Sequence, residues 1–559
     1  MTSNNTSNRS EPARPSNPAP RRKEPSLNPP AYVLSKHGSR VLDPSSAVRV
    51  SGQSSIRATV YVGSHLIVRT ADLTDDVLLP LAEAARLADL KLGKPSQDDQ
   101  MLDLARSEGL EDLALRVLVS RISLLPLHPQ TPSIPPDSWQ VLQNYRSITG
   151  PKTELARKVT LDHLFNANAG IGGAGYMGGS SVGGTGYMGG SSTGGLGYMG
   201  GSGIGGPSFE YGMPGRGGRT PVTWLGPEPA RRADADLPCR RPVVAVLDTG
   251  TGKHPWLPAS VVDRNPKVGA LPIGMTDSLT NPELHGSIDD PLEGILDSDA
   301  GHGTFIAGLI RQTCPDATLL SVRVMHGDGA VPESQFLRSL NRLVLRQAIA
   351  SQNGRPDLQI DVVSLSLGYY HELPSDEALD HQLLAPLAEL GRLGVTVVAA
   401  AGNDATSRHM YPAGFAPHPG SPMPVTRDRA PIVSVGALNP DRRTSALFSN
   451  AGDWVTCLRH GAAVVSTMPT ALNGSLQASA SIELPGGGRR STIDPDDYFG
   501  GFATWSGTSF ASPVLAGEIA QSLLSTGKLD EATPAKAVTR AWRAVSKLAG
   551  LSRPAGSAT

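Results

Sequence analysis

The chain has 559 residues, and its 50 Lys and Arg nearly cancel its 51 Asp and Glu. That balance offers no electrostatic footprint for nucleic acid, and no apolar run approaches the roughly 18 residues of a membrane helix. Cys239, Cys314 and Cys457 are scattered, which argues against a disulfide framework and against a cysteine metal site.

Residues 1–50 are rich in Ser, Asn, Pro and Arg and read as disordered. They hold no apolar core of a signal peptide, so the expected location is cytoplasmic, with export by a non-standard route left open. Residues 55–165 read as a small α/β or α+β domain. The stretch 56–69 alternates like a strand pair turning near Gly63-Ser64. Residues 74–92 have a Thr N-cap and helical apolar spacing. Further elements are expected at 100–108, 112–125, 137–146 and 153–165.

A Gly-rich linker follows over 168–220, with Gly-Tyr-Met-Gly-Gly-Ser recurring every 11 residues at 175–180, 186–191 and 197–202. So dense a glycine tract has no side chains to build a core and loses maximal backbone entropy on ordering.

From 238 to 550 apolar strand patterns alternate with helical ones. Strands are predicted at 242–247, 318–324, 361–366, 395–400 and 431–437, and helices at 303–312, 334–351, 376–392, 509–524 and 532–549. Alternation with nearly continuous apolar strands predicts a doubly wound α/β fold around a mostly parallel sheet. Residues 469–500 read as an inserted loop.

Three motifs carry chemistry. VVAVLDTGTGKHPWL (243–257) ends an apolar strand on Asp248, DAGHGTFIAG (299–308) sets His302 between glycines before a helix, and GTSFASPVLAG (507–517) opens a helix on Ser509. A serine hydroxyl becomes a good nucleophile when a histidine takes its proton and a carboxylate holds that histidine's tautomer. Each motif alone has an ordinary structural reading as a turn or a cap. Together they stand in the order Asp, His, Ser, which differs from chymotrypsin-like and α/β-hydrolase orders.

On these motifs the segment 242–525 resembles the subtilase family of serine peptidases. The resemblance implies a fold of subtilisin type and a serine endopeptidase that hydrolyses peptide bonds through an acyl-enzyme. Asp248, His302 and Ser509 would be its triad. VTVVAAAGND (395–404) implies Asn403 as the side-chain oxyanion donor, beside the Ser509 backbone N–H. DVVSLSLG (361–368) implies Ser366, Leu367 and Gly368 as one wall of the substrate cleft, with Ala400, Ala401 and Gly402 as the other. The sequence departs from the family pattern at Phe305, at Arg459-His460-Gly461 and at Val514. The expected partners are protein or peptide substrates, with no nucleic acid and no membrane. No organic cofactor and no metal ligand set is expected. Structural calcium, common in the family, stays open without a diagnostic loop. Residues 55–165 are either an inhibitory prosegment or an adaptor for a protein partner. The acidic run Asp277, Glu283, Asp289, Asp290, Glu293, Asp297 and Asp299, with no Lys or Arg from Val268 to Ile310, suggests a cleft rim that favours basic peptides.

Overall fold

The computed structural model describes residues 24–25, 27–128, 135–167, 211, 217–374, 381–531 and 533–554. The disorder expected of 1–23 and the glycine repeats at 175–202 lie outside the described residues.

The N-terminal unit runs α1 (Ala31–Lys36), β1 (Ser39–Leu42), β2 (Thr59–Arg69), α2 (Asp75–Arg86), β3 (Leu90–Leu92), α3 (Asp99–Ser107), α4 (Glu111–Val117), β4 (Val119–Pro126), α5 (Ser138–Thr149) and β5 (Val159–Asn166). Its antiparallel sheet has the order β5-β2-β4-β3, with β1 also on β2. The two-residue period of a strand gives the sheet two apolar faces. Leu66, Val68, Ile122 and Leu161 pack under α2 and α5, which contribute Val77, Leu81, Leu142 and Tyr145. Ile67 and Phe165 point the other way, into a core shared with Phe336 and Leu340 of the second unit.

Three expectations are corrected here. Residues 31–42, placed in the disordered terminus, form α1 and β1, because β1 finds an edge of β2 to pair with. Residues 56–69 are not a hairpin. Gly63 lacks the positive φ a two-residue hairpin turn needs, and β2 runs through as one strand whose partners shift register between Tyr61 and Leu66. The helix expected over 74–92 stops at Arg86, after which Asp89, at φ 57°, turns the chain into β3. The run 112–125 is likewise a helix and a strand, α4 and β4.

The second unit continues through β6 (Thr220–Pro221), β7 (Val243–Asp248), β8 (Val262–Asp263), β9 (Lys267–Val268), β10 (Leu271–Pro272), α6 (His302–Thr313), β11 (Thr318–Arg323), β12 (Ala330–Pro332), α7 (Glu333–Gln352), β13 (Val362–Leu365), α8 (His381–Arg392), β14 (Thr396–Ala400), β15 (Ile432–Leu438), β16 (Cys457–His460), β17 (Val464–Thr467), β18 (Ser481–Glu483), β19 (Arg489–Ser491), β20 (Phe502–Trp505), α9 (Thr508–Leu524) and α10 (Pro534–Ala549). Its main sheet has the order β16-β15-β14-β13-β7-β11-β8, and every pairing in it is parallel. One face packs on α6 and α9 through Phe305, Ile310, Leu515 and Ile519. The other packs on α7 and α8 through Leu337, Leu340, Leu383 and Leu387. This is the doubly wound α/β arrangement, with both faces of an apolar sheet covered. The 469–500 insertion carries the exposed hairpin β18–β19. The last residues of the expected linker are built into the fold. Arg219 is buried, and the Ser506 hydroxyl donates to the Gly217 carbonyl at 2.7 Å.

The two units share a sheet. β12 pairs antiparallel with β5, so the N-terminal sheet is extended by a strand of the second unit.

Asp361 fixes the start of two central strands. It accepts both fork nitrogens of Arg240 at 2.7 Å each and the Val243 N–H at 2.9 Å, all at a buried position. Asp361→Ala removes the paired acceptor of a largely buried guanidinium and the acceptor of the Val243 N–H, so a loss of about 3 kcal/mol is expected. Urea unfolding should show it as a lower midpoint with an unchanged slope.

Candidate active site

Parallel strands end together, and in an open α/β sheet the crevice beyond their carboxyl ends is where a site is assembled. Asp248 is the last residue of β7 and Ala400 the last of β14, while Ser366 follows the end of β13. His302 is the first residue of α6 and Ser509 the second of α9.

Asp248 and His302 are in contact. The Asp248 Oδ1 atom lies 2.7 Å from His302 Nδ1, and both side chains are almost completely buried. The same oxygen accepts the Thr249 N–H at 2.8 Å. The carboxylate thereby orients the ring and leaves Nε2 on its far side, where that nitrogen is buried and makes no hydrogen bond. Burial pushes the His302 pKa down, but the Asp248 charge and hydrogen bond, aided by Asp299 and Glu283, outweigh it and raise the pKa above the ordinary imidazole value. Trp505 meets the ring edge-on with centroids 5.6 Å apart, and Phe510 lies at 5.2 Å. Phe305, at the departure from the family pattern, packs against both aromatics and adds to this apolar surround.

Ser509 is fully buried, and its hydroxyl donates to the Ala167 carbonyl at 3.1 Å. The Ser366 carbonyl lies 3.4 Å from the same hydroxyl, and the Ser366 hydroxyl donates to the Ser509 carbonyl at 2.9 Å. Asn403 is held by its oxygen. Oδ1 accepts the Thr508 N–H and the Thr508 hydroxyl at 2.8 Å each. That leaves the amide nitrogen as the donor end, near the Gly507 turn that precedes Ser509. Thr508 also receives the Gly402 N–H at 3.0 Å, which ties the 400–402 segment to the start of α9. A Cβ on Gly402, whose φ is +101°, would meet Asn450 Nδ2 and Met410 Sδ at 2.4 Å each. Ala400 and Ala401 are buried beside it.

The cleft holds part of the chain itself. The Asn166 N–H donates to the Gly368 carbonyl at 2.9 Å, and the Gly368 N–H returns to the Asn166 carbonyl at 3.0 Å. On the other side Ala330, Val331 and Pro332 face Asn166, Phe165 and Leu164, and the Ala167 N–H reaches the Gly329 carbonyl at 2.9 Å. Residues 164–167 thus lie as an extended strand between two edges. Only a glycine fits at 368, since a Cβ there would stand 2.6 Å from the Tyr411 carbonyl. Leu367, expected in the cleft wall, turns its side chain into the core, so its contribution to the wall is backbone. Phe165 is fully buried, stacks on Phe336 with centroids 4.9 Å apart and meets Tyr369 at a tilt with centroids 4.8 Å apart.

Several groups at the site were not singled out as such by sequence reasoning. Glu283, read as a rim carboxylate, is fully buried and accepts the hydroxyls of Thr249 and Thr304. Burial is the main cause that pushes its pKa up to about 7. Thr249 also takes the Gly303 N–H at 2.9 Å, so Glu283 braces the backbone on either side of the Asp248–His302 pair. The threonines after Asp248 and after Gly303 were the available signal. Asp297 and Asp299 are buried too, chiefly by that burial raised to about 7 and about 6. The acidic rim is therefore smaller than the sequence suggested, because three of its seven carboxylates are internal. Asp289, with Asp328, binds Lys36 of α1 at 2.7 and 3.0 Å. Asp404, expected near the cleft wall, is buried and takes the Tyr370 hydroxyl at 2.6 Å.

The parallel sheet thus gathers at its strand ends an Asp–His pair, a serine in the first turn of a helix and an amide donor. A family model described as "Subtilase family" matches residues 240–553, more than half of the chain. The chain belongs to the subtilase family. An "Intracellular serine protease" of Paenibacillus polymyxa is 26% identical over 294 residues, which are 50% of this chain and 65% of that protein. A human "Membrane-bound transcription factor site-1 protease" is 28% identical over 44% of this chain and 19% of its own length. "Subtilisin BL" of Lederbergia lenta is 28% identical over 43% of this chain and 72% of its own. The match spans less than two thirds of the first two relatives. No helix among the described residues is long and apolar enough to cross a membrane.

The electrostatics of His302 set the direction of a pH effect. A base must be neutral to accept a proton, and the folded pKa of His302 is raised from 6.5. Reaction of Ser509 with a fluorophosphonate should therefore grow with pH through an apparent pKa above 6.5, and Asp248→Asn should shift that limb downward while slowing the reaction. A pH profile of labelling rates for the two proteins checks this.

Proposed function

We propose that the protein is a serine endopeptidase and that its N-terminal unit is a prosegment that blocks its own cleft. The observation that carries both halves is the meeting of the Ser509 hydroxyl with the Ala167 carbonyl at the end of an extended strand. A peptide substrate of this enzyme would lie along the same two edges, Gly329–Val331 and Ser366–Gly368. The hydroxyl would attack the carbonyl carbon while His302 Nε2 takes the proton. Asp248 would hold the resulting imidazolium. Asn403 Nδ2 and the Ser509 N–H would receive the oxyanion, at a helix start whose dipole favours negative charge. Collapse would pass the proton to the leaving amine and leave an acyl-enzyme for water to hydrolyse. No organic cofactor enters these steps, and no calcium is needed for them.

Strand pairing, buried aromatic packing at Phe165 and the Lys36 ion pairs favour the prosegment over an adaptor, because they spend the unit's apolar surface on the cleft. We place the protein inside the cell, given the similarity to an intracellular serine protease and three free cysteines. Protein and peptide are its substrate classes.

The intact chain and its Ser509→Ala variant test both halves. Mass spectrometry of the purified wild type should show a break at Ala167–Asn168 or at the next peptide bond, and Ser509→Ala should remain whole. Peptidase activity should fall by several orders of magnitude in Ser509→Ala and in His302→Ala, without the losses adding. Asn403→Ala should cost about 100- to 1000-fold, mostly in kcat. Undiminished turnover in Ser509→Ala refutes the peptidase. An uncut and fully active wild type refutes the prosegment.

A further inference from the structure

A cluster of ionisable groups lies between the two units, away from Ser509. His163 of β5 is completely buried. Its Nε2 lies 2.9 Å from Glu372 Oε2, and its Nδ1 lies 2.9 Å from Glu333 Oε2. His371 Nδ1 is 3.3 Å from that same Glu372 oxygen, and the ring centroids of the two histidines are 5.3 Å apart. One donor atom from each of His163, His371 and Glu372 falls within 4.8 Å of the others, and all three residues are buried. His163 comes from the N-terminal unit, and the other two follow β13 in the second.

The surroundings bear the marks of a metal shell. Metal-bound imidazoles usually place their far nitrogen on a carboxylate, which fixes the tautomer, and Glu333 stands in that position behind His163. Arg146 of α5 holds the other oxygen of Glu372 at 3.1 Å, which directs Oε2 to the two rings. The Leu373 N–H donates to His371 Nδ1 at 3.1 Å, which helps to fix the orientation of that ring. Tyr369 stacks on His163 with centroids 4.3 Å apart and closes the cluster from one side.

We propose that His163, His371 and Glu372 form a site for a divalent cation of the Zn2+ class that staples the N-terminal unit to the second unit. Two imidazole nitrogens and one carboxylate oxygen are a zinc donor set with one position open for water. Calcium and magnesium prefer shells made mainly of oxygen and are poor fits. Each ligand binds in its deprotonated form, so uptake of the cation releases protons. The ionisable groups about His163 include Asp162 beside it on β5, Glu333 from α7, and His371 and Glu372 from the segment after β13, with Arg146 of α5 on Glu372. Because the ligands come from both units, binding stabilises their union by the mass action of a ligand that binds only the assembled form.

The test uses the full-length Ser509→Ala chain at mildly alkaline pH, so that its readout does not depend on the peptidase reading. Titrated with Co2+ as a probe, it should take up one equivalent with the intense visible bands of a four-coordinate ion, and Zn2+ should bleach them. His163→Gln and His371→Gln in that background should each lose the bands. Glu333→Gln, which keeps all three ligands, should retain them with affinity reduced about 10- to 100-fold. It covers the case in which a ligand variant fails to fold. Zn2+ should raise the Tm of the Ser509→Ala chain and leave that of its His163→Gln derivative unmoved. Absent bands, or bands that survive both histidine substitutions, overturn the proposal. So does a His163→Gln variant that lowers Tm in a chain that binds no cobalt, the behaviour of a proton-bridged ion cluster only.

Discussion

The backbone ladder over residues 164–167 is the constraint on which the rest of the molecule turns. It is one strand with two sets of partners, Gly329–Pro332 on one side and Gly368 on the other. Main-chain bonding of this kind is indifferent to side chains, which is why a cleft that uses it can take many sequences. It also fixes register, and register fixes which carbonyl meets the serine. Once Phe165 is seated between Phe336 and Tyr369, Ala167 falls at Ser509. The N-terminal sheet delivers this strand in a rigid direction, because β5 is paired along its length with β2 before it reaches the cleft.

The electrostatic layout supports the same arrangement. Three acidic groups, Asp248, Glu283 and Asp299, are buried around His302, and Asp297 is buried in the loop that precedes it. Their mutual repulsion is relieved unequally. Asp248 shares the proton-bearing Nδ1 of His302, whereas burial raises Glu283, Asp297 and Asp299 towards their neutral forms. The result is one carboxylate bonded directly to the imidazole, with the other buried acids acting as hydrogen-bonded braces of the surrounding backbone. Arg219 adds a cation next to this group. It caps the carbonyls of Asp297 and Ala300 at 3.0 and 2.8 Å and lies over the Trp505 ring at 5.2 Å. The segment just after the glycine tract is thus built into the loop that presents His302.

Much of the site was legible in the sequence because its motifs are local. Asp248 ends an apolar run, His302 and Ser509 open helical runs, and each such context survives without knowledge of the rest of the fold. The parallel strands were legible for the same reason, as short β-branched runs between helices. What the sequence hid is long-range pairing. Nothing in Leu164–Ala167 announces that its partners are Gly329 to Pro332 and Gly368, and the β2 bulge replaces a turn that Gly63-Ser64 seemed to offer. Asp297, Asp299 and Glu283 misled in a different way. A carboxylate in a polar stretch looks exposed, and only the fold shows that backbone N–H and hydroxyl groups wait for it inside. Residues 31–42 include Tyr32, Val33, Leu34, Val41 and Leu42, but they follow a stretch dominated by Ser, Asn, Pro and Arg, and their order comes from an edge pairing that the composition of that stretch does not reveal.

On the prosegment reading, cutting and release are separate events, and the contacts show why. Before a break near Ala167 the strand is intramolecular, and rejoining the cleft is favoured by the effective concentration that a covalent link confers. A break removes that advantage but leaves the contacts in place. Those contacts are extensive: the β5–β12 pairing, the packing of Ile67 and Phe165 against α7, Lys36 between two aspartates, and His163 between two glutamates. An inhibitor held this way stays bound after its covalent link is lost, and the rate of activation is then the rate of its departure. Breaking a buried ion cluster exposes its members one at a time to an uncompensated environment, and that cost falls on the first step of opening. On that reading the residues that decide when the cleft becomes free are those of the interface rather than those around Ser509.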